Sequence, residues 1–361
     1  MIKKKLLIID KEQFGYHIDS YQYCQYLKND YDITYICFDT KQETVEANGI
    51  NVIYITHERS FFHKGINFFK TIRQYIGRNK YDVIFIVYFQ SASLLKLMFP
   101  SKNFVINVCT GAVWYGSIKR KIDNMIIRFE CKFFRHITII SPCLRDKLKI
   151  KRERSHILPL GADSMAAEKK QYNNLNLLYV GNFDNRNLDE TIYGLKIFLD
   201  DNKAKLDITY DIVGFGYDSE VKRIIDAIDK TKLSNTVSLN GIVAHNKLGV
   251  FFEKCNIGIC YVPTTDYFDC QPSTKLFEYI NSGLICIATN THENTAYINS
   301  KNGLLCTDNP SSFAKSLKEL NNKKQEFNTE EIKKTLSEHT WSEIVTNNLK
   351  PYLEETINGN V

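Results

Sequence analysis

The chain has ten cysteines but no Cys-x-x-Cys pair and no repeating cysteine spacing, which argues against a zinc site. Cys37, Cys260 and Cys286 sit inside apolar strand-like runs, and the cysteines as a set read as reduced core residues of a cytosolic protein. No stretch reaches the ~20 apolar residues that a membrane span requires, and the run Leu6–Asp10 behind Lys3, Lys4 and Lys5 is too short for a signal peptide. A cytoplasmic location is therefore expected. There is no solenoid-period repeat and no low-complexity tract. No glycine-rich turn follows the first strand, which runs into Lys11-Glu12-Gln13-Phe14-Gly15, and this speaks against a nicotinamide dehydrogenase. No Asp-x-Asp metal motif stands out: Asp184 and Asp189 are isolated, and Asp266 and Asp269 share one loop. Nor can a carboxylate pair be placed across a glycosidic bond, which disfavours hydrolysis.

What is present is an ordinary globular composition of 361 residues, 43% apolar and 24% charged, enough for two or three domains. Short β-branched or aromatic runs alternate with helical patterns. In the first half the runs are Lys5–Asp10, Ile33–Phe38, Val52–Ile55, Val83–Tyr88, Val105–Cys109 and Ile137–Ile140, with helical patterns such as Ser20–Asn29 and Phe68–Arg78 between them. A polar segment interrupts the alternation, which restarts with Leu177–Val180, the helix Asp189–Leu199, Ile208–Val213 and the helix Ser219–Ile228. Val237–Leu239, Ile257–Val262 and Ile285–Ala288 supply further strands. The pattern predicts an α/β protein of two Rossmann-like, doubly wound domains facing a cleft, residues 1–162 and 176–338, joined by a linker over 163–175. The helix pattern in 339–361 would return to the first domain.

The most informative stretch is Gln271-Pro272-Ser273-Thr274-Lys275-Leu276-Phe277-Glu278-Tyr279, followed by Ser282-Gly283 and the apolar run Leu284–Thr289. It predicts a polar loop, a short helix, a glycine stop and a buried strand. Lys275 and Glu278 stand three apart and so share a helix face. The loop would aim free backbone N–H groups beyond the helix N-terminus, a ready anion site. An anion held by amides and a lysine, with a carboxylate one turn on to accept sugar hydroxyls, suits a nucleoside diphosphate. The plainer alternative is a surface helix with an ordinary ion pair.

The order of several elements in the second half resembles the retaining glycosyltransferases of GT-B fold in family four, the glycosyl transferases group 1. Leu178-Tyr179-Val180-Gly181 opens that order, and Asp211-Ile212-Val213-Gly214-Phe215-Gly216 follows. Then come Val237-Ser238-Leu239-Asn240-Gly241-Ile242-Val243, Ile257-Gly258-Ile259-Cys260, the Thr274–Glu278 helix, Gly303-Leu304-Leu305 and Trp341-Ser342-Glu343-Ile344. The first half matches in architecture and in Ile139-Ile140-Ser141. The resemblance implies that Glu278 binds the donor ribose and that the loop through Ser273 and Thr274 gives amides to the diphosphate, with Lys275 adding charge. Gly15, Gly214 and Gly216 would let backbone approach the nucleotide sugar, although a lone Gly-x-Gly is a weak signal and a tight strand-to-helix turn with no ligand also accounts for the Gly214–Gly216 pair. No cofactor or metal is implied; a UDP- or GDP-linked sugar is the donor.

Four places depart from the family. Asn182 and Asn187 stand where an Arg and a Lys commonly grip the diphosphate, leaving Arg186 as the one cation of that loop to take over the contact. Cys270 stands where a second glutamate is usual. The turn that often carries an active-site histidine reads Cys109-Thr110-Gly111, and His17 is the histidine retained as a candidate instead. For His17 and for Arg186 the alternative is a solvated surface residue.

The reaction implied is transfer of a sugar to a glycan or lipid-linked acceptor with retained configuration, in cell-envelope polysaccharide synthesis. Arg186, Lys275 and helix N-termini would stabilise the departing diphosphate without a metal, His17 being the first-domain candidate. Twelve Lys or Arg residues against four acids lie between Ser117 and His156. Aromatic and basic residues at helical spacing there would suit contact with an anionic membrane at the inner face of the plasma membrane, or simply a core helix with a solvated basic face. No recognition motif accompanies the charge, so nucleic acid is not an expected partner. Competing readings are a non-catalytic GT-B partner subunit or binding module, and a nucleotide-sugar epimerase.

Overall fold

Leu6, Leu7, Ile8 and Ile9 are each at most 1% exposed. Such burial of consecutive residues is expected of a parallel strand covered by helices on both faces. The structure, a computed structural model, describes residues 3–56, 61–113, 116–202 and 206–359, with backbone only at 61–64. It divides into two units, Met1–Leu160 with Trp341–Val361, and Gly161–Thr340.

In the first unit β1 (Lys4–Ile9), β2 (Tyr31–Phe38), β3 (Ile50–Ile55), β4 (Val83–Val87), β5 (Phe104–Val108), β6 (His136–Ile139) and β7 (Ser155–Ile157) form a parallel sheet in the order β3-β2-β1-β4-β5-β6-β7. The connecting helices are α1 (Ile18–Leu27), α2 (Phe61–Arg78), α3 (Ser93–Met98), α4 (Ser117–Cys131) and α5 (Pro142–Lys147). Strand β7 lies outside the sequence expectation: it is three residues long, starts Ser155-His156 and sits at the sheet edge, so it carries no apolar run.

The second unit repeats the scheme with β8 (Leu175–Asn182), β9 (Ile208–Phe215), β10 (Val237–Leu239), β11 (Ile257–Cys260), β12 (Ile285–Thr289) and β13 (Gly303–Cys306), ordered β10-β9-β8-β11-β12-β13 and again parallel. Its helices are α6 (Asp189–Asp201), α7 (Asp218–Thr231), α8 (Gly249–Lys254), α9 (Thr274–Asn281), α10 (His292–Tyr297), α11 (Pro310–Lys323) and α12 (Thr329–Lys334). The doubly wound α/β class expected from the alternation is what forms.

The C-terminal segment belongs to the first unit. Trp341, Ile344, Val345, Leu349, Tyr352 and Leu353 enter one core cluster with Leu6, Tyr23, Tyr35 and Val83. Trp341 meets Tyr23 edge-on at 6.0 Å, and the Tyr352 ring stacks on His156 at 4.2 Å. The expected single helix is interrupted: α13 (Trp341–Ile344) passes through a π-turn at Val345–Leu349 into α14 (Lys350–Asn358). Pro351 has no N–H to give to the preceding turn, and the wide turn lies just before it.

Cys24, Cys37, Cys131, Cys255, Cys260, Cys286 and Cys306 are buried free thiols and Cys109 is a half-buried one. Cys143 and Cys270 are the exceptions to the reduced reading. Among the described residues no helix is long and apolar enough to cross a membrane.

Candidate active site

In the second sheet the strand order reverses at β8, whose neighbours are β9 on one side and β11 on the other. Ligands of open α/β sheets bind outside the strand carboxyl ends at such a reversal. Here those ends are unusually close. Gly181 and Gly214 are register partners at the ends of β8 and β9. A Cβ on Gly214, whose φ is +147°, would lie 1.8 Å from the Gly181 carbonyl oxygen. One on Gly216 would lie 2.8 Å from the Phe183 Cβ and 2.9 Å from an Asp184 carboxylate oxygen. Packing of the 181–184 segment by itself thus requires glycine at both positions.

Helix α9 is fixed to the same edge. The Tyr279 hydroxyl accepts the Val180 N–H at 2.8 Å. The Tyr279 ring occupies the space a side chain on Gly258 would fill, with ring carbons 2.2 Å and 2.3 Å from that Cβ position. This clamp sets α9 so that Lys275 reaches back over β8: its Nζ lies 3.9 Å from the centre of the Tyr179 ring and 3.3 Å from the Cβ position of Gly181. Ser273 is the N-cap residue, in extended conformation and with no side-chain cap bond, so the first-turn amides at Thr274 and Lys275 are left to another acceptor.

Arg186 comes from the loop after β8. Its guanidinium packs 4.1 Å from the centre of the Phe268 ring, one amino group donates to the Asp184 carbonyl, and its buried Nε has no hydrogen-bond partner. Asn185 and Asn187 on either side hold positive φ, +61° and +48°. Burial pushes the Cys260 thiol upward, and the charges of Lys275 and Arg186 are among the influences that pull it back. Neither has a carboxylate partner among the described residues. Aromatic rings hold them instead, which keeps their charge unneutralised.

Glu278 lies one turn beyond Lys275, its side chain 14% exposed, with Oε1 3.6 Å from His245 Nε2. The carboxylate is thus largely shielded from solvent on the helix face it shares with Lys275. Asp184 and Asp189, expected to be isolated, and Asp269 of the Asp266 loop all have partners. Asp184 accepts the Tyr217 N–H at 2.7 Å, Asp189 pairs with Arg223 at 2.8 Å, and Asp269 accepts the His292 N–H at 2.8 Å. Asn182 donates to Asp184 within the loop, and Asn187 accepts from Arg223 of α7.

In the first unit the order reverses at β1, and His17 and Gly15 follow that strand. Gly15 has φ +92°, and a Cβ there would lie 2.5 Å from a Val45 methyl. His17 Nδ1 is 2.6 Å from Oδ2 of buried Asp10, which also accepts from the Ser20 hydroxyl at 2.8 Å. Burial alone would lower the imidazole pKa, but the Asp10 hydrogen bond, then Cys109, outweigh it and hold the ring well above its ordinary value. Burial likewise opposes ionisation of Asp10, and His17 reverses that, keeping the carboxyl low. His17, Asp19 and Cys109 each bring one potential ligand atom within 4.8 Å of the others, one donor fewer than a closed structural zinc site has. Asp10 was not singled out in the sequence; seven residues from His17 across a strand end, the pair follows no periodicity.

Residues 5–141 match the family described as glycosyl transferase 4-like, and residues 174–323 match the glycosyl transferases group 1. Among solved structures, sucrose-phosphate synthase from Thermosynechococcus elongatus aligns over 99% of this chain and 100% of its own, with TM-score 0.79 and 14% identity. HepE from Anabaena, in complex with UDP and glucose, aligns over 98% and 100%, with TM-score 0.76 and 13% identity. The lipopolysaccharide outer core galactosyltransferase WaaB aligns over 99% and 100%, with TM-score 0.68 and 12% identity. A search of curated proteins finds no match. With both halves matched in order, and whole-length likeness to enzymes of this architecture, the chain belongs to the group 1, family-four glycosyltransferases of GT-B fold.

Proposed function

We propose that the protein moves a sugar from a UDP- or GDP-linked donor to a glycan or lipid-linked acceptor with retention of configuration, in cell-envelope polysaccharide synthesis at the cytoplasmic face of the membrane. The observation that carries the reading is the pair Lys275 and Arg186, two cations with no carboxylate partner among the described residues, one over the end of β8 and the other in the loop that follows it. A diphosphate placed there meets the amides of Thr274 and Lys275 as well. Glu278, one turn on, would take the ribose hydroxyls, and Gly214 and Gly216 would present bare backbone to the nucleotide.

As the glycosidic bond to phosphate breaks, charge grows on the departing diphosphate. Fixed cations and helix amides stabilise that charge more than they stabilise the ground state, which is catalysis by preorganised electrostatics. We assign no metal to this step. Retention rests on the resemblance to family-four enzymes; His17, whose Nδ1 lies 2.6 Å from Asp10 and whose pKa that contact raises, would act as a donor from Nε2–H with Gly15 beside it. The Anabaena HepE complex with UDP and glucose supports UDP as the first donor base to try.

The departures at Asn182, Asn187 and Cys270 keep a non-catalytic partner subunit as the competing reading. Incubation with UDP- and GDP-sugars in the presence of a chelator separates the two. Release of the nucleoside diphosphate, with the donor's anomeric configuration kept in the product, is expected. A protein that binds the nucleotide and turns none over would be the partner subunit.

A further inference from the structure

Ile118, Ile122, Met125 and Phe129 fall at i, i+4, i+7 and i+11 on α4 and are 74%, 51%, 67% and 57% exposed. Helix α3 adds Leu94, Leu97 and Met98, also exposed. The two helices are tied together: buried Glu130 of α4 accepts the Ser91 N–H at 2.6 Å and the Ser93 N–H at 3.1 Å at the start of α3. A soluble monomer rarely leaves this much adjoining apolar surface open.

At the C-terminal end of α4 lies a hollow of about 140 Å³ whose charged lining is wholly basic: Arg128, Lys132, Lys149, Lys151 and Arg154. Arg154 is engaged, donating to the carbonyls of Cys131 and Lys132 at 2.9 and 3.0 Å. Lys151 has Glu153 at 3.4 Å. Arg128, Lys132 and Lys149 have no ion-pair partner among the described residues, and water occupies about 30 Å³ per molecule, so the hollow has room for a phosphate group. Apolar residues next to a cationic, acid-free hollow complement an anionic lipid surface, which offers a layer of phosphates directly above hydrocarbon.

We propose that α3 and α4 seat the first unit on an anionic bilayer, and that the Arg128–Lys132–Lys149 hollow takes the phosphate of a lipid headgroup. This deepens the membrane contact read from residues 117–156, and it rests on the lipid-linked acceptor reading only for its purpose.

The test is co-flotation of the full chain with vesicles of phosphatidylcholine, with and without phosphatidylglycerol, at physiological salt. The protein is expected to float with the anionic vesicles alone. Met125→Glu with Phe129→Glu, both at exposed positions, should abolish binding. Arg128→Ala, Lys132→Ala and Lys149→Ala together should weaken it on the order of a hundredfold. Vesicle binding unchanged in the triple variant would overturn the hollow as the phosphate site. Binding of inorganic phosphate to the hollow with no flotation would assign it to a free anion and overturn the lipid assignment. No flotation and no phosphate binding overturns both. Nucleotide binding by the second unit, measured on the same variants, separates these outcomes from failure of the transferase reading.

Discussion

Lys275 Nζ sits 3.9 Å above the Tyr179 ring and beside the bare backbone of Gly181, so one strand end supplies both the cushion and the gap for this cation. The ammonium is placed before any ligand arrives, and no carboxylate among the described residues pairs with it. Its removal should therefore be felt in the transfer step and little in folding. Lys275→Ala is predicted to lower kcat/KM by about 10²–10³, the usual loss of one transition-state charge contact, with an unchanged unfolding midpoint. A drop in stability with kcat/KM intact would make the lysine structural.

Glu278 is predicted to read the nucleoside and not the phosphates. Loss of hydrogen bonds to a charged group costs about 1.5–3 kcal/mol, so Glu278→Ala should bind a nucleoside diphosphate roughly ten- to a hundredfold more weakly. Pyrophosphate, which has no ribose, should bind both forms alike in a calorimetric titration. Equal losses for the two ligands would move the carboxylate out of the ribose role.

Two glycines should respond with opposite signs. Gly214→Ala forces a Cβ to within 1.8 Å of a backbone oxygen at φ +147°, and a loss of more than about 3 kcal/mol in denaturant unfolding is expected. Gly65 lies within α2 with nothing within 4 Å of its Cβ position. Gly65→Ala should stabilise by about 0.5–1 kcal/mol.

The contrast shows which parts of the molecule were legible in sequence. The strand runs, the α9 boundary at Thr274 and the Lys275–Glu278 face follow from local periodicity, and the structure has them. Why Gly214 and Gly258 are glycine was not legible, because the atoms that demand it, the Gly181 carbonyl and the Tyr279 ring, come from other elements. The same holds for the Arg186–Phe268 stack and for Asp10 under His17: each depends on where two chain segments meet. The π-turn at Val345–Leu349 was hidden by a helical pattern that continues on both sides of it.

The Asp10–His17 pair carries a pH signature with a defined sign. The folded-state pKa of His17 lies above the unfolded value near 6.5. Its contribution is fully present below that pH and is lost as pH rises toward the folded pKa. Relative to His17→Gln, the wild type should lose stability from about pH 6.5 upward, by at most about 1.4 kcal/mol per unit. The depressed Asp10 acts at the other end: its contribution is present above the unfolded carboxylate pKa and is lost as pH falls through the folded one. Urea midpoints from pH 6 to about 9 decide the matter, and a difference that stays flat would mean a neutral His17.

The central claim is a nucleoside diphosphate site at the carboxyl ends of β8 and β11. It is tested most directly by a thermal-shift titration of the protein with UDP, GDP, ADP and CMP. A ligand that binds only the folded state stabilises by about 2.7 kcal/mol at a hundred times its dissociation constant. The account predicts a clear rise in melting temperature with UDP or GDP that is lost in both Lys275→Ala and Glu278→Ala. No rise with any diphosphate, or a rise that survives both substitutions, would contradict it.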